Sequence, residues 1–254
     1  MSGHSKWSSI KHKKSKEDAK RGRIFSRLAR LITVAAREGG GNPEMNATLG
    51  NAIEKAKAQN MPAENIDRAI KRGTGEIEGV QFEQISYEGY GPAGVAMLIE
   101  VMTDNRNRAA AEMRRIFTKY NCKLGSAGSV AWMFERKGVI LVPKTAGDEE
   151  TVLEAALEAG AEDMSIEDDH YEIKTNPVEL GDVRKVLEEK EMPFSSADLT
   201  MLPKSTQALD QGEAKGVLRF IEALEDCDDV QEVYSNFDIS DDVMEAIASG
   251  ELGS

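Results

Sequence analysis

Cysteine, histidine and aromatic residues are scarce in this 254-residue chain, which has two cysteines, three histidines and 6% Phe, Trp and Tyr. Cys122 and Cys227 cannot build a disulfide framework, and with no paired Cys/His spacing they build no zinc site. Long apolar runs are missing too. The longest, Val95 to Ile99 and Val130 to Phe134, are far short of the roughly 18 residues that a membrane span needs. The start lacks the apolar core of a secretory signal, so a reduced, cytoplasmic setting is expected. The chain contains no Gly-x-Ser-x-Gly elbow, no His-Glu-x-x-His and no Gly-x4-Gly-Lys-Ser/Thr phosphate loop. Catalytic residues, a metal and a small-molecule cofactor are therefore not expected. Gly89, Gly91 and Gly94 have the spacing of a dinucleotide fingerprint, but a strand-like run from Val95 to Val101 follows them where that fingerprint requires a helix. Two acidic clusters, Glu167 to His170 and Asp226 with Asp228 and Asp229, carry donors suited to hard metals. Both read as solvated turns.

What the chain has instead is a charge asymmetry. Its formal net charge is -13, yet the first 37 residues hold eleven Lys or Arg against Glu17 and Asp18, a local +9 that leaves -22 for the remainder. An acidic body is repelled by nucleic acid, so a cationic start confines any polyanion contact to one place and one orientation.

That start has two parts. Residues 1 to 15 show no helical period and present Lys6, Trp7, Lys11, His12, Lys13 and Lys14 among serines, the pattern of an extended arm. From Lys16 to Glu38 the period is helical: Ile24, Phe25, Leu28, Leu31, Ile32 and Ala35 share an arc of about 120°, and Lys16, Lys20, Arg23, Arg27, Arg30 and Arg37 share another of about 100°. Arg21 falls on the apolar side. Gly39 to Gly41 end the helix. Further helices are expected from about Asn46 to Gln59 and from Pro62 to Gly73. The basic face is either a polyanion contact or a solvated helix surface. Trp7 and His12 suit stacking on unpaired bases, with packing of Trp7 onto the helical domain as the alternative.

Beyond Gly75 the balance turns acidic. A hairpin is expected over Gln84 to Met102, a helix over Ala109 to Tyr120 and a strand over Ser129 to Glu135. Arg106 and Arg108 stand near that helix start, where they either meet phosphates or pair with carboxylates. From Gly138 to Leu202 the order is βαββαβ, the split βαβ plan of ferredoxin-like domains. A helix from Gly212 to Leu224 and a strand from Val230 to Phe237 are left over, as are the preceding hairpin and helix. The economical solution is an α+β protein: a basic three-helix domain (1–75), a discontinuous α/β-plait domain (76–136 and 206–240), a second plait inserted in it (137–205) and an acidic tail (241–254).

Several segments resemble one family. Met1 to Trp7, Ile10 to Lys13, Asp18 to Gly22, Thr33 to Arg37, Asn60 to Pro62, Tyr87 to Pro92, Thr103 to Arg108, and Leu124-Gly125 with Gly128 to Val130 are similar to the YebC/PmpR signature. The likeness spans about residues 1 to 240. It implies a non-enzymatic, three-domain protein of gene expression. Bacterial members are described as DNA-binding transcriptional regulators, whereas a mitochondrial relative activates translation and bacterial relatives are linked to ribosomes stalled on proline-rich sequence. The sequence departs from the family at Asn46 to Gly50, where relatives carry two arginines and this chain has none.

The expected partner is therefore nucleic acid, as duplex DNA or as ribosomal RNA on the ribosome. The contacting residues are expected to be Lys6, Trp7, Lys11, His12, Lys13, Lys14, Lys16, Lys20, Arg21, Arg23, Arg27, Arg30, Arg106 and Arg108. Neither a membrane partner nor an oligomeric state follows from the sequence.

Overall fold

A computed structural model describes residues 17–167, 169–240 and 243, with the backbone alone for 17–20. The fold is mixed helix and mostly antiparallel sheet. By chain contacts it divides into two compact units. One holds residues 17–129 and 215–233, and the other holds 130–214 and the described residues from 234 onward.

The first unit begins with three helices: α1 (Glu17–Gly39), α2 (Ala47–Ala58) and α3 (Ala63–Thr74). Their apolar stripes meet in one core, in which Ile32, Leu49 and Ala56 are wholly buried beside Leu28, Ile53 and Ile66. Burying each of the larger aliphatic side chains contributes roughly 1.5–3 kcal/mol. Gly40 takes a left-handed φ of 86° after α1, which stops the helix where the three glycines predicted. Asn46 then caps α2. Its side-chain oxygen accepts from Leu49 N at 3.1 Å, and its amide donates to the carbonyls of Ala35 (2.8 Å) and Gly40 (2.9 Å). Pro62 lies at the N-cap of α3, one position before the first turn to which the sequence assigns it. No donor is lost by its presence.

The same unit contains a hairpin of β1 (Glu83–Tyr90) and β2 (Ala96–Thr103), paired antiparallel from Glu83 opposite Thr103 to Tyr90 opposite Ala96. It continues through α4 (Arg106–Lys119), which Asn105 caps by accepting from Arg108 N, and β3 (Lys123–Leu124). The sheet order is β3-β1-β2-β9, where β9 is Val230–Ser235. Every residue of β2 is buried except Glu100, as suits a central strand. Two glycines of the false dinucleotide fingerprint serve packing, and the third, Gly94, takes a left-handed φ of 77° in the turn. A Cβ on Gly89 would lie 2.6 Å from the Phe117 ring, and one on Gly91 would lie 3.2 Å from Phe220. Those two rings meet edge-on at 5.0 Å.

The second unit carries β4 (Phe134–Pro143), α5 (Glu149–Glu158), β5 (Asp163–Ile166), β6 (His170–Thr175), α6 (Leu180–Glu189) and β7 (Ser196–Pro203). The sheet order β5-β6-β4-β7, with every neighbouring pair antiparallel, is the ferredoxin-like arrangement expected from βαββαβ. Ile140, Val152, Ile173, Val183 and Leu187 fill the core between sheet and helices.

Two sequence expectations are corrected. Ser129 to Glu135 is not a separate strand: Ala131–Met133 is a 3-10 turn, and Phe134 opens β4, which runs on through residues 136 and 137. The ladder from Phe134 opposite Pro203 explains this, because backbone pairing with β7 overrides the local Gly138 break signal. Nor is Val230 to Phe237 one strand. It ends at Ser235, and β10 (Phe237–Asp238) pairs parallel with β8 (Gln207–Ala208), which precedes α7 (Gln211–Glu225). The expected tail at 241–254 lies outside the described residues apart from Val243.

Candidate nucleic-acid interface

The basic face of α1 forms as its period dictates, with Arg23, Arg27 and Arg30 at i, i+4 and i+7 on one side of the helix. Their axial spacings are about 6 Å and about 4.5 Å. Each meets the end of α7 or the segment that joins it to β9. Arg23 pairs with the Asp226 carboxylate, Arg27 donates to the Glu225 backbone carbonyl and Arg30 donates to the Asp228 backbone carbonyl. Arg30 also stands 3.5 Å from the Asp229 carboxylate and 5.6 Å from the centre of the Phe82 ring. Arg37, farther along the helix, donates to the Phe82 carbonyl at 2.9 Å.

Asp229 is the hub of this arrangement. Its side chain is only 8% exposed and accepts from Thr103 Oγ1 at 2.9 Å and from Arg108 at 2.9 and 3.1 Å. Arg108 bonds Asp104 as well, at 2.7 Å. Its hydrogen bonds to Asp229 and then to Asp104 raise the guanidinium pKa further, so the charge is fixed. Arg106 is 3.9 Å from Glu83 and largely exposed. For Arg108 the structure therefore realises the carboxylate-pairing alternative. Beside these groups lies a cavity of about 610 Å³, lined by Arg30, Phe82, Arg108 and Cys227 among others. Burial pushes the thiols of both Cys227 and Cys122 up from their ordinary value, the opposite of what a reactive cysteine needs.

The other expected contact residues fall into two groups. Arg21 is exposed, with its guanidinium 5.5 Å from the centre of the Phe25 ring, and that stacking explains how a cation tolerates the apolar side of the wheel. Lys6, Trp7, Lys11, His12, Lys13, Lys14 and Lys16 lie outside the described residues, and Lys20 is described by its backbone alone. The structure also adds cations that the sequence reading passed over: Lys57 on α2, and Arg68 and Arg72 on α3, are exposed. Lys71 stands beside them, 2.7 Å from Asp67. For Lys57, Lys71 and Arg72 the signal was the basic last turn of each helix. Among the described residues, no group of three or more His, Cys, Asp or Glu side chains is placed to hold a metal ion, and no helix is long and apolar enough to cross a membrane. The Asp226–Asp229 turn binds arginines instead.

Comparison with known proteins places this geometry in a lineage. The pattern of the TACO1/YebC protein N-terminal domain matches residues 5–76, and that of the TACO1/YebC second and third domain matches residues 82–237. The chain belongs to the TACO1/YebC family. Relatives in this family extend over its whole length. A protein of Halothermothrix orenii is 57% identical over 250 residues, covering 97% of this chain and 99% of the relative. One of Rubrobacter xylanophilus is 58% identical over 249 residues, covering 98% and 100%. Both carry the name "Probable transcriptional regulatory protein". The crystal structure of the conserved hypothetical protein Aq1575 from Aquifex aeolicus matches with a TM-score of 0.82 at 50% identity, over 91% of this chain and 96% of that one. The TACO1/YebC fold is thus shared with that structure.

Proposed function

We propose that this TACO1/YebC protein is a non-catalytic, nucleic-acid-binding regulator of gene expression that acts on duplex DNA as a transcriptional regulator. The observation that carries the reading is the +9 start of a -13 chain, continued into the helix as the Arg23, Arg27 and Arg30 row. The relatives' shared name supports a regulatory role. In this reading residues 1–75 make the contact through the arm and α1, with Lys57, Arg68 and Arg72 as additional phosphate partners, and the acidic remainder of the chain confines the polyanion to that end. Phosphate contact by six to ten cations makes affinity fall about a thousandfold or more between roughly 50 and 200 mM salt.

The test compares binding of the full chain and of a chain lacking residues 2–14 to duplex DNA across a salt series, with ribosome co-sedimentation in parallel. Steep salt dependence and loss of DNA binding on deletion are expected. Unchanged binding after deletion overturns the arm's role, and salt-resistant sedimentation with ribosomes alongside weak, sequence-blind DNA binding replaces transcription by translation.

A further inference from the structure

We infer that residues 225–229, the last residue of α7 and the turn from it to β9, act as an intramolecular stand-in for a nucleic-acid backbone, which a polyanion must displace to reach the arginine row of α1. The inference rests on the nucleic-acid role proposed above and adds its regulation. Consecutive arginines of the row are each met by this one turn: Arg23 by the Asp226 carboxylate, Arg27 by the Glu225 carbonyl and Arg30 by the Asp228 carbonyl. A turn carrying Glu225, Asp226, Asp228 and Asp229 offers acceptor oxygens and negative charge at successive positions, which is also what a phosphodiester chain offers.

The fit is good enough to hold and poor enough to exchange. Arg27 and Arg30 donate to neutral carbonyls, Arg30 with the Asp229 carboxylate 3.5 Å away, and an anionic phosphate oxygen adds a Coulomb attraction that a carbonyl lacks. Arg27 keeps its Nε buried with no hydrogen-bond partner, a donor that a bidentate phosphate contact would satisfy. Arg23 and Asp226 are 41% and 71% exposed, so their ion pair is screened by solvent and readily exchanged. Asp229 belongs to the opposite class. Buried and held by Thr103 and Arg108, it anchors the base of the turn, whereas Asp226 and Asp228 before it are exposed.

The experiment uses the full chain and a fluorescent duplex DNA at low salt. Asp226→Asn with Asp228→Asn weakens the stand-in, and Glu149→Gln with Glu150→Gln removes the same charge from the exposed start of α5. The first pair is expected to tighten binding about tenfold, or about 1.4 kcal/mol, and the second to leave it within about twofold. Adding Arg23→Ala and Arg27→Ala to the first pair should abolish that gain. Equal effects of the two acidic pairs, or no gain from the first, overturn the stand-in while leaving the nucleic-acid role intact. Absence of DNA binding by every form overturns both.

Discussion

The Thr103 hydroxyl donates to the Asp229 carboxylate at 2.9 Å, joining the end of β2 to the turn before β9 across 126 positions of sequence. This bond and those from Arg108 satisfy a carboxylate that is nearly out of solvent. Asp229→Ala removes the acceptor for both donors and leaves Arg30 without its nearest carboxylate. A loss of about 3 kcal/mol is expected, because breaking a buried charged network strands the remaining groups. Thr103→Val should cost about 1 kcal/mol, the net value of one such bond. Urea unfolding of the two variants reads the difference, and an Asp229→Ala loss no larger than that of Thr103→Val would refute the hub.

Asn46 occupies the position at which the family resemblance leads into the missing arginines. Its three hydrogen bonds tie α1, the glycine turn and α2 together. Asn46→Ala is expected to cost about 2 kcal/mol, the upper end for a cap, since the buried bond to the Ala35 carbonyl is lost with it. Thermal unfolding followed by helix content is the measurement, and a loss below about 1 kcal/mol would reduce Asn46 to a simple cap.

At Gly73 two effects oppose each other. Helix propensity favours alanine, by less than the roughly 1 kcal/mol of an interior position because Gly73 lies in the last turn of α3. Packing forbids it: a Cβ there would lie 2.4 Å from the Thr33 carbonyl oxygen and 2.7 Å from Ala36 Cβ, so α1 and α3 would have to separate. Overpacking typically costs 1–3 kcal/mol, so Gly73→Ala should destabilise despite the gain in propensity. A raised unfolding midpoint would mean that the helices yield cheaply.

The Glu232 carboxyl on β9 gives the stability a pH dependence. Loss of surrounding water is the main cause that pushes it up to about 7; Lys55 and Arg27 oppose the shift, and Glu100 and Glu225 add to it. The side chain nonetheless keeps exposed surface, so water screens the effect and its direction, not its size, carries over to stability. With the folded value above the unfolded one, the contribution is fully present below about 4.5 and is lost as pH rises through about 7. Glu232→Gln should flatten the profile of unfolding free energy in that window. An unchanged slope would place the titration elsewhere.

Periodicity and punctuation carried most of the secondary structure, because those signals are local. The 3.6-residue stripe of α1, the glycines after it, the alternation of β1 and β2 and the βαββαβ order of the second unit all lie within a few residues of what they specify. Where the sequence reading missed, the deciding bond came from far along the chain. Phe134 joined β4 because Pro203 pairs with it, and Asn236 ends β9 as Phe237 turns to pair with Gln207.

The same division runs through the candidate interface. Sequence by itself determined that the cations concentrate at one end of an acidic chain and that Arg23, Arg27 and Arg30 share a helix face, since charge count and helical period need no tertiary information. Only the tertiary structure decided what that face meets. The Asp226–Asp229 cluster read as a solvated turn, and folding sets it against arginines about 200 positions away. The pairing is invisible in the linear chain because Coulomb attraction acts through space, and only packing of α7 and β9 brings the two charge sets within its reach.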